Sequence, residues 1–211
     1  MKTSELLNAL SEDQVTPPAP RRALTLALIP AVVIAVCLFL AVLGPRPHFL
    51  ALLAEPRFLF KLIVCDLLVA FSGLLVLRLF RPGAAVHGAL MLAVVPPALL
   101  AIGVGVELAV VPAAQWGPRL VGSNSMACLK SIPFLGFAPL IATLFALRNG
   151  APERPALAGA GAGLFAGAIG AALYATHCPD DSPLFVAVWY PLAIALLTGL
   201  GAVLGARLLR W

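Results

Sequence analysis

The chain has 211 residues, of which 62% are hydrophobic and only 11% charged, with a formal net charge of +5. So little polar surface excludes a water-soluble globule and leaves a polytopic membrane protein. The basic excess forms no cluster and is not interleaved with aromatic residues, which excludes direct nucleic-acid binding and points to loop topology as its origin.

Residues 1–22 are the one sizeable polar segment. Thr3 or Ser4 can cap a short helix, Glu5 lies in its first turn, and Leu6, Leu7 and Leu10 fall on one face. A helix of about ten residues does not persist alone in water, so this one is expected to form only by docking onto a partner. Val-Thr-Pro-Pro-Ala-Pro, residues 15–20, then makes a stiff extended spacer. The competing reading is a disordered leader with incidental leucines.

A hydrocarbon core about 30 Å thick needs roughly 20 apolar residues per helix. Six runs meet that length: 23–43, 57–80, 88–112, 127–148, 156–176 and 186–206. They are continuously apolar, whereas barrel strands are shorter and alternate. The expected fold class is therefore an all-α membrane protein. It consists of a cytosolic partner-binding tail (1–22), a bundle of six transmembrane helices (23–206) and a short cytosolic C-terminus (207–211). The first run follows a polar segment and lacks a small-residue cleavage site, so it reads as a retained helix. With both termini inside, nine of the 14 Lys and Arg residues fall on the inner side. Arg46, Arg57, Lys61, Arg119 and Lys130 fall outside, the bias of an inner-membrane protein with cytoplasmic termini. Trp116, Tyr174, Trp189 and Tyr190 then line the outer interface as an aromatic belt.

The second run carries Lys61 and Asp66, the third Pro96-Pro97 and Glu107, and the fourth Lys130. Ionisable groups at membrane depth are costly and usually face the bundle in pairs, so Lys61 or Lys130 against Asp66 or Glu107 is the expected intramembrane network. The alternative is that both lysines snorkel to the outer interface. In the fifth run Gly159, Gly163 and Gly167 are spaced by four, and Gly201 and Gly205 repeat the device in the sixth, a pattern for close helix packing. No strand precedes these glycines and no Lys-Ser/Thr follows, which rejects a phosphate loop.

Four cysteines, Cys37, Cys65, Cys128 and Cys178, include no C-x-x-C pair, so neither a zinc ribbon nor a thioredoxin-type motif is present. Cys37 and Cys65 lie inside apolar runs and read as small hydrophobes. Cys128 opens the fourth run and Cys178 ends the fifth, so the topology sends both thiols to the outer surface, where they can meet. Cys178 lies beside His177, Asp180 and Asp181, a setting for a thiolate or a soft metal with His177 as a candidate ligand.

The polar N-terminal helix, the six spans, Cys128-Leu129-Lys130-Ser131-Ile132-Pro133 and His177-Cys178-Pro179-Asp180-Asp181-Ser182-Pro183 with Trp189-Tyr190 together resemble the NrsF family. These are bacterial six-pass integral-membrane anti-sigma factors, and the likeness covers almost the whole chain. The resemblance implies a non-enzymatic negative regulator that holds an extracytoplasmic-function sigma factor at the inner membrane. It implies release when the periplasmic cysteines, here Cys128 and Cys178, sense metal or oxidative stress, and it makes the N-terminal tail the sigma-contacting part. Cys37 and Cys65 are outside the family pattern. The expected partners are the sigma factor and membrane lipid, with no cofactor beyond transient heavy-metal binding. Two other classes fit the composition: a quinone-linked membrane thiol oxidoreductase, weakened by the absence of C-x-x-C, and a small transporter with a third helix broken at Pro96-Pro97.

Overall fold

The computed structural model describes residues 19–210. The expectations for Leu6, Leu7 and Leu10 lie outside the described residues. Six long helices form from the six apolar runs and end within a turn of them: α1 (Pro20–Val42), α3 (Pro56–Leu79), α4 (His87–Val110), α6 (Ser125–Leu147), α7 (Pro155–Ala175) and α8 (Pro183–Leu208). Two short helices occupy loops, α2 (Phe49–Leu52) and α5 (Trp116–Val121), the latter entered through a 3-10 turn at Ala113–Gln115. The long helices have 21 to 26 residues. At 1.5 Å rise per residue, each is long enough to cross about 30 Å of hydrocarbon.

Local chemistry sets several of the ends. Pro56, Pro155 and Pro183 open α3, α7 and α8 at positions where a missing N–H costs nothing. Pro96-Pro97 does not break α4, which stays helical through the pair. Freed carbonyls inside a membrane bundle find compensation from neighbouring helices and local adjustment.

The six spans alternate in direction, so the loops gather at two ends. Loops 43–55, 111–124 and 176–182 meet at one end, the cysteine end. The start of α1, the end of α8 and loops 80–86 and 148–154 meet at the opposite end, where the Gly83 N–H donates to the Glu153 carboxylate at 2.6 Å.

The glycine spacing in α7 explains why that helix sits at the centre. A methyl group added at Gly159 would collide with the Gly201 carbonyl of α8, and one at Gly163 would collide with the Leu197 carbonyl. On a second face, Gly170 is closed by the Ile132 carbonyl of α6. Ala158, Ala162, Ala166 and Ala171 are fully buried around the same axis. Lipid tails are as apolar as these side chains, so such an interface gains through close backbone contact rather than water release. Leu26, Ile29, Ile102, Phe134 and Leu196 point outward, where hydrocarbon is their solvent.

The aromatic belt differs from expectation. Tyr174 and Tyr190 are buried inside the bundle, because α7 packs against α3, α6 and α8 and Tyr190 faces it from α8 with ring centroids 6.4 Å apart. Trp116 and Trp189 do lie at the rim, where their indole N–H groups donate to the carbonyls of Val111 and Leu120, each at 2.9 Å.

Candidate functional site at the cysteine end

The turn after α7 is tied down from three directions. From the first loop, Arg46 N–H donates to the Thr176 carbonyl at 3.1 Å, and His177 Nδ1 lies 2.8 Å from the Gly44 carbonyl. A carbonyl only accepts, so this ring nitrogen carries its proton. From α3, Lys61 Nζ donates to the Cys178 carbonyl at 2.7 Å and pairs with the Asp181 carboxylate, which also takes Arg46 at 2.7 Å. Both cations stand over the Phe58 ring.

The third tie brings the thiols together. Asp180 accepts the backbone N–H groups of Ser123 (3.1 Å) and Asn124 (2.9 Å) and the Asn124 amide at 3.1 Å. These donors lie at the start of α6, whose own N-cap residue makes no side-chain cap bond. The carboxylate of a different loop therefore supplies the anion that a helix N-terminus favours. Gly122 makes this approach feasible: its φ is +58°, and a methyl group there would strike Phe185 and come within 2.9 Å of the Asp180 carboxyl carbon.

Cys128 lies one turn into α6 and Cys178 two residues before Asp180, so the Asp180 tie closes one thiol on the other. Both are free thiols, fully buried and packed in the same core cluster. The Cys178 thiol is held below its ordinary range, first by the neighbouring Cys128 thiol. Burial opposes this and the Lys61 ammonium assists it. The hydroxyls of Tyr174 and Tyr190 are buried beside the pair without a hydrogen-bond partner. Cys65 packs in the same core cluster, whereas Cys37 faces outward from α1.

The intramembrane network is paired differently from the sequence expectation. Lys61 is 1% exposed, and its carboxylate partner is Asp181 in the cysteine turn. Asp66 lies five residues further along the same helix, about 140° around it, and faces outward. Glu107, 3% exposed, takes Arg57 on one oxygen at 2.9 Å and Arg119 on the other at 2.7 Å, with the Ser182 hydroxyl at 3.3 Å. Lys130 is exposed on α6, and among the described residues neither it nor Asp66 joins an ion pair. Among those residues, no three His, Cys, Asp or Glu side chains are grouped to hold a metal; the Gly44 carbonyl occupies only Nδ1 of His177.

Arg46, Arg57, Arg119 and the clamping role of Asp180 were not singled out from sequence. One signal was available for Arg57: it stands four residues before Lys61, on the same helix face.

Fold and site define a polytopic α-helical membrane protein whose ion pairs and thiol pair are gathered at one end and tied into packing. The family model described as "NrsF: Negative regulator of sigma F" matches residues 9–211. An anti-sigma-F factor NrsF from Caulobacter vibrioides is 36% identical over 214 residues, covering the whole of both chains. A probable anti-sigma-F factor NrsF from Azospira oryzae is 33% identical over 216 residues, again end to end. The chain therefore belongs to the NrsF family of anti-sigma factors, negative regulators of sigma F. No solved structure matches it.

Proposed function

We propose that this protein holds an extracytoplasmic-function sigma factor at the bacterial inner membrane and releases it when Cys128 and Cys178 react with a thiophilic metal or an oxidant. Both termini are cytoplasmic in this reading, so the cysteine end faces the periplasm. The tail, through Leu6, Leu7 and Leu10, is the sigma-contacting element and folds as it docks. The observation that carries the sensing part is the apposition of two thiols, one on α6 and one in the turn after α7, held by Asp180 and Lys61. A covalent or metal bridge between them would draw the outer ends of α6 and α7 together. Such a pull shifts the bundle only if the bridged state favours one arrangement over another. The ridge of α7, where backbone meets backbone at Gly159 and Gly163, is the interface along which that shift would run.

The test is a sigma-dependent reporter together with topology fusions. Fusions after Arg22 and Arg154 should report cytoplasm and one at Asp181 periplasm. Leu6→Asp with Leu10→Asp should abolish repression while the protein still inserts. Normal repression by a chain lacking residues 2–16 would move the contact surface to the inner loops, and an outward Arg154 would overturn the topology.

A further inference from the structure

At the cysteine end, a cavity of about 610 Å³ opens between the first loop, the start of α3, α5 and the cysteine turn. Arg46, Arg57 and Arg119 line it together with Pro56 and Ser182. Their counter-charges are shared. Glu107 alone serves both Arg57 and Arg119, and Asp181 alone serves both Arg46 and the Lys61 ammonium. Two carboxylates thus face four cations. Glu55, also on the lining, is exposed and in no ion pair among the described residues. The starts of α3 and α8 border the same space; neither carries an acid in its first turn, and neither N-cap side chain bonds its own helix. Their unsatisfied N–H groups add to the positive potential that the arginines create. Guanidinium groups with free N–H edges match the paired oxygens of a phosphate group in a bidentate fork, as they do those of a carboxylate.

We propose that this cavity is an anion site that takes a phosphate group, carried either by an anionic phospholipid headgroup or by free inorganic phosphate. The neighbouring surface suits the lipid source: Leu50 of α2 is 82% exposed and Leu53 is exposed beside it, as in a segment lying at a membrane interface. The site does not depend on the thiol-sensing reading, but it would inform it. Asp181 and Ser182 line the cavity and belong to the turn that carries Cys178, so a phosphate competing with Asp181 for Arg46 acts directly on that turn.

The full chain, purified and delipidated in a neutral detergent, would be titrated in two arms. One arm uses inorganic phosphate against chloride at matched ionic strength, and the other phosphatidylglycerol against phosphatidylcholine. A saturable rise in melting temperature of about 3–5 °C is expected once ligand exceeds its Kd about tenfold. A response to phosphatidylglycerol alone assigns the headgroup, a response to phosphate alone assigns the soluble anion, and a response to both assigns a site open to either. Arg57→Gln should lose the response. Pro56→Glu should lose it too, and this variant decides if Arg57→Gln does not fold, since an acid in the first turn suits a helix start while filling the cavity with negative charge. The proposal is overturned if neither arm responds, if chloride or phosphatidylcholine gives the same rise, or if Pro56→Glu responds as the parent does.

Discussion

Replacing Asp180 by Ala probes how the thiols are brought together. The change removes the acceptor for the Ser123 and Asn124 N–H groups and for the Asn124 amide. The site is partly open, so water satisfies some of the freed donors. The loss resembles that of a helix cap and comes to about 1–2 kcal/mol rather than the full cost of buried orphan groups. A free energy of that size lowers the closed-to-open ratio of the turn about 5- to 30-fold. The rate at which Cys128 and Cys178 form a disulfide follows the closed fraction and should fall by up to that factor, the full factor being reached where the open turn predominates, because closure precedes bond formation. The assay uses purified protein carrying Cys37→Ser and Cys65→Ser, a fixed concentration of diamide, and maleimide trapping of the remaining thiols at timed intervals. Asp180→Asn, which keeps one acceptor oxygen, should fall between parent and Asp180→Ala. If Asp180→Ala oxidises at the parental rate while melting at the parental temperature, the carboxylate is not what holds the two thiols together.

Three further outcomes follow from the packing and the charges. Gly163→Ala should cost about 1–3 kcal/mol or more by forcing α7 away from the Leu197 carbonyl. Gly199→Ala, which meets nothing within 4 Å, should be neutral or slightly stabilising, and melting in detergent separates the two. Glu107→Ala should destabilise by about 2–3 kcal/mol in the same assay. That is less than a fully buried pair would lose, since Arg57 and Arg119 are 47% and 31% exposed and water can serve them. Alkylation of Cys178 should begin at lower pH than that of an ordinary thiol, because the lowered pKa keeps a thiolate present there. Cys128→Ala, which removes the largest contribution, should move the rate–pH profile upward.

The spans were legible because continuous apolar length is a direct consequence of bilayer thickness, and the glycines of α7 were legible because their spacing of four puts them on one helix face. The meeting of Cys128 and Cys178 could be anticipated from parity alone, since one opens an even-numbered span and the other closes an odd-numbered one. The partner of Lys61 was not accessible in this way. Asp181 is 120 residues away, and only the fold brings that turn across α3. Asp66 looked like the nearer partner along the chain but lies on another side of its helix. Tyr174 and Tyr190 were assigned to the rim by depth along their helices, whereas which side of a helix faces lipid is decided by neighbours that hydropathy does not encode. The helices α2 and α5 carry too few residues for a periodic signal.

The measurement that bears most directly on the account follows, in one culture under cadmium or oxidant, both the sigma-dependent reporter and the state of the Cys128 and Cys178 thiols. The thiols should become protected from maleimide as the reporter rises. Cys128→Ser, Cys178→Ser and the double variant should each lose the response to the same degree, because two thiols acting as one unit are not additive. Cys37→Ser and Cys65→Ser should respond as the parent does. A double variant that still represses at rest and induces normally under stress would contradict it, leaving Cys128 and Cys178 as packing residues of the bundle.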